Sequence, residues 1–221
     1  MKRTGKEILL RLVILVVGLF IAHFGVTLFL LSNLGADPFN VLVQGVCRTL
    51  EHATAWGLSH GSIHRILCFL IILVLLVVDR HYIQIGTLVC MFCGGPIIDL
   101  FTLLLGPLLN EASPLWVRYP VLAVGCVIMA FGMTIVIKSD AGTGPNDLVA
   151  LVISEKTKVK FSIVRVATDF LFVAAGYLMG GVVGLGTIIC AFLVGPVANF
   201  FMPRNEKWIN KLVKRTQPAQ S

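Results

Sequence analysis

Six apolar stretches divide the chain, at 9–31, 62–78, 83–105, 115–137, 161–179 and 182–202. Each has about the length that a helix needs to cross a hydrocarbon layer of ~30 Å. Two further apolar stretches, 38–50 and 145–154, are too short to cross. Backbone at membrane depth has to satisfy its own hydrogen bonds, so these are expected as short helices that dip in or lie at the surface. The pattern predicts an all-α polytopic membrane protein, a single membrane domain over 1–221 with six transmembrane helices.

The segments recur. A shift of 107 places Gly18 on Gly125, Phe24 on Phe131, Gly25 on Gly132, Thr27 on Thr134, Ser32 on Ser139, Gly35 on Gly142 and Pro38 on Pro145. After a loop that differs in length, a shift of 100 places Ser62 on Ser162, Arg65 on Arg165, Gly86-Thr87 on Gly186-Thr187, Cys90 on Cys190 and Gly95-Pro96 on Gly195-Pro196. Chance identities in apolar sequence would not gather on Gly, Pro, Arg and Thr in one order. Repeat one covers 8–106 and repeat two 115–203, with a basic tail over 204–221. Three spans per unit is an odd number, so the second copy inserts upside down. The expectation is two inverted three-helix repeats, each with a short re-entrant or interfacial helix after its first span, as in many secondary transporters.

Charge sets the orientation. With the N-terminus in the cytoplasm, fifteen of the 18 Lys and Arg fall on the inner side and only Arg48, Arg65 and Arg118 on the outer. Positive residues mark cytoplasmic segments, so both termini are expected on the cytoplasmic side of the membrane. Composition agrees: 57% of residues are apolar and 13% charged, with mean hydropathy +0.92. A soluble domain carries about 25% charge. The net charge of +7 sits at the ends and in one loop, without interleaved aromatics, so nucleic acid is not an expected partner. The first apolar stretch exceeds a signal-peptide core and has an internal counterpart, so it is read as a retained span. The six cysteines lie mostly in apolar runs, as small hydrophobes do. Cys90-x-x-Cys93 lacks partners at metal spacing, and His60-x-x-x-His64 lacks the accompanying Glu. Neither metal nor cofactor is expected.

The candidate chemistry lies where the spans break. GADPFN (35–40) and GTGPND (142–147) each follow a first span. Proline suits the first turn of a helix, and Asp37 or Gly144 would be the cap. A helix start carries about half a positive charge and free N–H groups. Two such starts from inverted copies would attract an anionic group near the midplane. Asp37, Pro38, Asn40, Pro145, Asn146 and Asp147 are therefore candidate substrate contacts. Ser62 and Ser162 would cap the second span of each unit, and Arg65 and Arg165 would supply fixed positive charge. Arg165 and Asp169, four residues apart, can pair on one helical face. Asp99, Asp169 and Asn199 lie inside spans, where an ionisable group is costly and marks function, so they are candidates for proton or ion coupling. Gly95-Pro96 and Gly195-Pro196 would be hinges, since an interior proline removes a helix hydrogen bond. His23, whose counterpart is Ala130, is read as a packed or bonded residue.

On these residues the chain resembles the YczE/YyaS/YitT family of bacterial integral membrane proteins, and its YczE-like branch in particular. The match is carried by Gly35, Pro38, Asn40 and their counterparts Gly142, Pro145, Asp147. It continues in Ser62/Arg65 with Ser162/Arg165, then Gly86, Thr87, Gly95, Pro96 with Gly186, Thr187, Gly195, Pro196, then Asp99. Members often read Gly-Leu-Gly-Pro-Trp-Asp at the first break. Here Asp37 replaces the Gly before the proline, Phe39 the Trp and Asn40 the acid. The resemblance implies a multi-span membrane protein, with export or an accessory role near the output of biosynthetic pathways.

The expected function is transport or export of a small anionic or zwitterionic molecule, with the acids inside the spans as candidates for coupling to protons. The alternative is a non-transporting accessory protein that docks or regulates a biosynthetic enzyme at the cytoplasmic face, on the basic 156–165 loop and the tail. Expected partners are the lipid bilayer and an unidentified small-molecule substrate. A second copy of the chain and a cytoplasmic enzyme stay open as protein partners. No GxSxG, Walker or Rossmann pattern and no nucleophile–base pair is present, so no enzyme activity is expected.

Overall fold

The computed structural model describes residues 4–53, 60–109 and 113–216, with backbone alone at 51–53, 60–62, 215 and 216. Among them, eight α-helices and one 3-10 turn follow each other with no strand: α1 (Gly5–Leu31), α2 (Pro38–Ala53), α3 (His60–Asp79), the turn Arg80–Tyr82, α4 (Ile85–Leu105), α5 (Leu115–Ser139), α6 (Pro145–Thr157), α7 (Phe161–Leu178) and α8 (Leu185–Thr216). Five of the described helices, α1, α4, α5, α7 and α8, are long and apolar enough to cross a membrane. The expected span 62–78 falls in α3, whose first residues are among those with backbone alone.

The centre is an antiparallel pair, α1 and α5, joined through matched glycines. Backbone replaces side chain where they cross. A Cβ on Gly25 would lie 2.6 Å from the Gly125 carbonyl oxygen, and one on Gly132 2.6 Å from the Ala22 Cα. Such close approach lets dispersion and weak polar contacts between backbones hold apolar helices together where lipid offers no hydrophobic drive. α4 leans on α1 and α8 on α5, while α2 packs on α7 and α3 on α6. Each of the two short helices buries one face. Val41 and Val43 on α2, and Leu148, Ala150 and Val152 on α6, are buried inside the bundle.

The outward faces are apolar. Val77, Leu103, Trp116, Leu171 and Leu178 stand exposed around the bundle, as side chains that meet lipid do.

Three expectations about helix ends change. The serines are not caps: α7 starts at Phe161 after Lys160, and Ser162 is its second residue. Phe161 is buried, so packing of that ring goes with a first turn two residues early. In α3 the helix already runs from His60, two residues before Ser62. The stretch 204–216 is not a loose tail but the end of α8, because Asn205, Ile209 and Val213 repeat at helical spacing and bury one face against α1 and α5. Pro96 and Pro196 lie within continuous helices.

Candidate functional site

Each break is built from the same parts. At the first, Ser32 Oγ donates to the Phe29 carbonyl at 2.6 Å, Asn33 turns left-handed (φ 48°) and Gly35 adopts φ 143°. At the second, Ser139 Oγ donates to the Val136 carbonyl at 2.7 Å, Asp140 turns left-handed (φ 56°) and Gly142 adopts φ 133°. Glycine is needed at 35 and 142, where an L side chain would be strained and would also meet the start of a distant helix. A Cβ on Gly35 would lie 3.0 Å from the Thr187 nitrogen, and one on Gly142 2.8 Å from the Gly86 carbonyl carbon. Backbone pairs lock these approaches. Gly186 N–H donates to the Leu34 carbonyl at 2.9 Å, and Gly86 N–H to the Ala141 carbonyl at 2.8 Å.

The short helices then begin. Asp37 caps α2: its Oδ1 accepts from the Asn40 N–H at 3.3 Å, and its Oδ2 accepts from the Asn40 side-chain amide. Gly144 caps α6, Pro145 takes the first helical position, and Asp147 falls in the first turn. A carboxylate is favoured at a helix start. The first start therefore holds one of the chain's own carboxylates on its backbone, while at the second Asp147 stands in the first turn with no side-chain cap bond.

Asp147 reaches a buried arginine. Arg165 on α7 donates through Nη1 to Asp147 Oδ1, and through Nε to Asp169 Oδ2 at 3.0 Å. The Arg165 side chain is 7% exposed, Asp147 18% and Asp169 1%. Asp37 lies close enough to act electrostatically on Asp169. Two carboxylates thus share one guanidinium, an excess of negative charge in the interior. Asp169 Oδ1 and Thr143 Oγ1 are buried and have no hydrogen-bond partner among the described residues.

His23 joins this neighbourhood. Its Nδ1 lies 2.8 Å from the Leu19 carbonyl. A carbonyl only accepts, so Nδ1 carries the hydrogen and a neutral ring presents a lone pair at Nε2. Nε2 faces Gly94, where a Cβ would lie 2.8 Å away. The counterparts under the shifts are Ala130 and Val194, which pack in one apolar cluster. A large residue against a small one in the first half becomes a small against a larger one in the second.

Pro38 and Pro145 are buried, and Asn40 and Asn146 half-buried, at the two helix starts. Arg65 is exposed on α3, although its counterpart Arg165 is buried. Asp99 on α4 and Asn199 on α8 are exposed, as are Gly95, Pro96 and Pro196. Gly195 is buried, and a Cβ there would lie 2.7 Å from the Ser162 carbonyl, so helix contact accounts for it. Among the described residues, no group of three His, Cys, Asp or Glu is placed to hold a metal ion. The His60 side chain lies outside the described residues.

Comparison with known proteins follows the same outline. A model described as "Family of unknown function (DUF6198)" matches residues 9–203. The chain is 29% identical over 215 residues to "Uncharacterized membrane protein YczE" of Bacillus subtilis (strain 168), covering 97% of this chain and 95% of that one. It is 28% identical over 192 residues to an "Uncharacterized protein" of Haemophilus influenzae, covering 86% and 82%. It is 24% identical over 197 residues to "Uncharacterized protein YyaS" of Bacillus subtilis, covering 86% and 92%. No solved structure matches the chain.

Proposed function

This chain is a membrane protein of the DUF6198 family, a family of unknown function, and on that premise we propose that it is a transporter for a small molecule bearing an ammonium group, zwitterions included, coupled to a proton. The observation that carries the reading is the buried set Asp147–Arg165–Asp169, with its unpartnered Asp169 oxygen and Asp37 beside it. An uncompensated buried carboxylate is expensive, and an ionised pair in the interior stays only where every charge is met. A carboxylate oxygen left without a donor is therefore a place for a proton or for the N–H of a substrate. The excess of acids favours positive charge in the cargo over the anion that the helix starts alone suggested.

Two inverted repeats of three spans support transport. The matched carbonyl pairs at Gly86 and Gly186, and the matched positive-φ glycines, are what a pseudo-twofold axis in the membrane plane would produce. The short helices α2 and α6 then enter the bilayer from opposite sides, sheltered by protein as non-helical backbone at that depth requires. On this reading both termini lie in the cytoplasm, in keeping with the distribution of Lys and Arg. Movement would come from the halves shifting about this centre, with Gly95-Pro96 as a hinge in α4. The accessory alternative draws less support, since Lys156 in its basic loop pairs with Asp79 at 3.2 Å and the tail is docked as helix.

Proteoliposomes with an imposed pH gradient test the proposal. A panel of small amines and amino acids should include a member whose uptake depends on the gradient and is lost in Asp169→Asn. Absence of flux across cationic, zwitterionic and anionic panels would overturn it. Flux restricted to anions, unaffected by Asp169→Asn, would restore the anion reading instead.

A further inference from the structure

Past Pro203 the last helix has three distinct faces. α8 has 32 residues, about 48 Å at ~1.5 Å per residue, against a hydrocarbon core of ~30 Å. Its end therefore runs on beyond the core. Charged groups flank it there: Lys138 pairs with Glu206 at 2.7 Å, and Arg11 with Asp140 at 3.3 Å. The inward face is fixed. Asn205 Nδ2 donates to Thr134 Oγ1 at 2.6 Å, and Ile209 and Val213 pack with Ile14 and Ile135.

The other two faces are open. Trp208 and Leu212, one turn apart, are 38% and 39% exposed, and the indole N–H is held by Asn205 Oδ1 at 3.0 Å. Opposite the buried face, Lys207, Lys211 and Lys214 line a shallow groove with Asn210. Among the described residues, none of these three ammonium groups is paired with a carboxylate. Like charges a turn apart on a helix repel, yet the docked face holds this helix rigid and keeps them together.

We infer that this face binds the phosphate of anionic lipid headgroups. Lysine meets phosphate as a point charge and can reach up past its own apolar stem. A tryptophan and a leucine beside a basic row match a helix lying at the headgroup boundary. A soluble acidic partner would satisfy the lysines but leave the Trp208–Leu212 edge in water, so lipid is the better occupant. This inference is independent of what the buried carboxylates carry.

The test is native mass spectrometry of the full chain released from micelles with phosphatidylglycerol and phosphatidylcholine of identical acyl chains. The wild type should retain phosphatidylglycerol about ten-fold or more over phosphatidylcholine. K207Q/K211Q/K214Q should bring that ratio close to one, with an unchanged thermal midpoint in phosphatidylcholine, and the triple Lys→Arg variant should keep it. An undiminished ratio in the triple Gln variant would overturn the inference. So would loss of the bound lipid from the wild type on adding millimolar inorganic phosphate, which would assign the groove to free phosphate.

Discussion

Arg11 on α1 donates through Nη1 to the Ser139 carbonyl at the end of α5, at 3.0 Å. Its counterpart under the shift of 107, Arg118 on α5, donates through Nε to the Ser32 carbonyl at the end of α1, at 2.5 Å. Each guanidinium neutralises the negative end of the other helix's dipole, at opposite ends of the pair. Hydrogen bonds to a charged group contribute about 1.5–3 kcal/mol. Arg11→Gln and Arg118→Gln should each lower the thermal midpoint in detergent, and the double variant should show the sum, since distant sites add.

The glycine crossings separate packing from conformational freedom. Gly132→Val drives a branched side chain into the Ala22 backbone and should cost at least the 1–3 kcal/mol typical of overpacking. Gly95 has nothing within 4 Å of the Cβ position, so Gly95→Ala should fold as well as the wild type. Size-exclusion profiles and thermal midpoints of the two variants check this. Loss of flux in Gly95→Ala at unchanged stability would support the hinge role.

Within the buried cluster the order of damage is predictable. Arg165→Gln leaves Asp147 and Asp169 facing each other without a counter-charge, and breaking such a pair costs about 3–5 kcal/mol. Asp169→Asn leaves Arg165 still paired with Asp147 and should cost less. Thermal unfolding of purified variants should rank Arg165→Gln well below Asp169→Asn.

At the surface, the 3-10 turn carries a pH-dependent latch. Asp79 accepts from the His81 N–H at 3.1 Å and pairs with Lys156, and these hold its carboxyl below the usual carboxylate range. A depressed pKa adds stability that is present above the unfolded value of ~3.9 and is lost as pH falls through the lower folded value. Amide protection at 80–83, measured against the intrinsic exchange rate at each pH, should hold down to about pH 4 and fall below it. Asp79→Asn should be less protected at neutral pH, with protection that stays flat across that range.

The elements were legible because apolar runs and polar breaks are local signals. Pro38 and Pro145 open their short helices as the spacing predicts, since proline's missing N–H is harmless there. The pairing of Arg165 with Asp169 was also local, one helical turn. What stayed hidden depends on which side of a helix faces inward. Asp99 and Asp169 look alike as acids within spans, but α4 turns Asp99 outward while α7 buries Asp169. Arg11 and Arg118 read as topology signals until their distant carbonyl partners are known. The compensating pairs His23–Gly94 and Ala130–Val194 could have been found by comparing both halves position by position for size as well as identity.

The central claim is that the halves are antiparallel and bring their two breaks to one interior site. Asn33 and Asp140 occupy the same left-handed position in the two breaks, and both are exposed. In a background with the six cysteines replaced, Asn33→Cys and Asp140→Cys should react with a membrane-impermeant thiol reagent from opposite sides of intact cells, Asn33→Cys from outside and Asp140→Cys only after permeabilisation. Labelling of both from the same side would contradict the account.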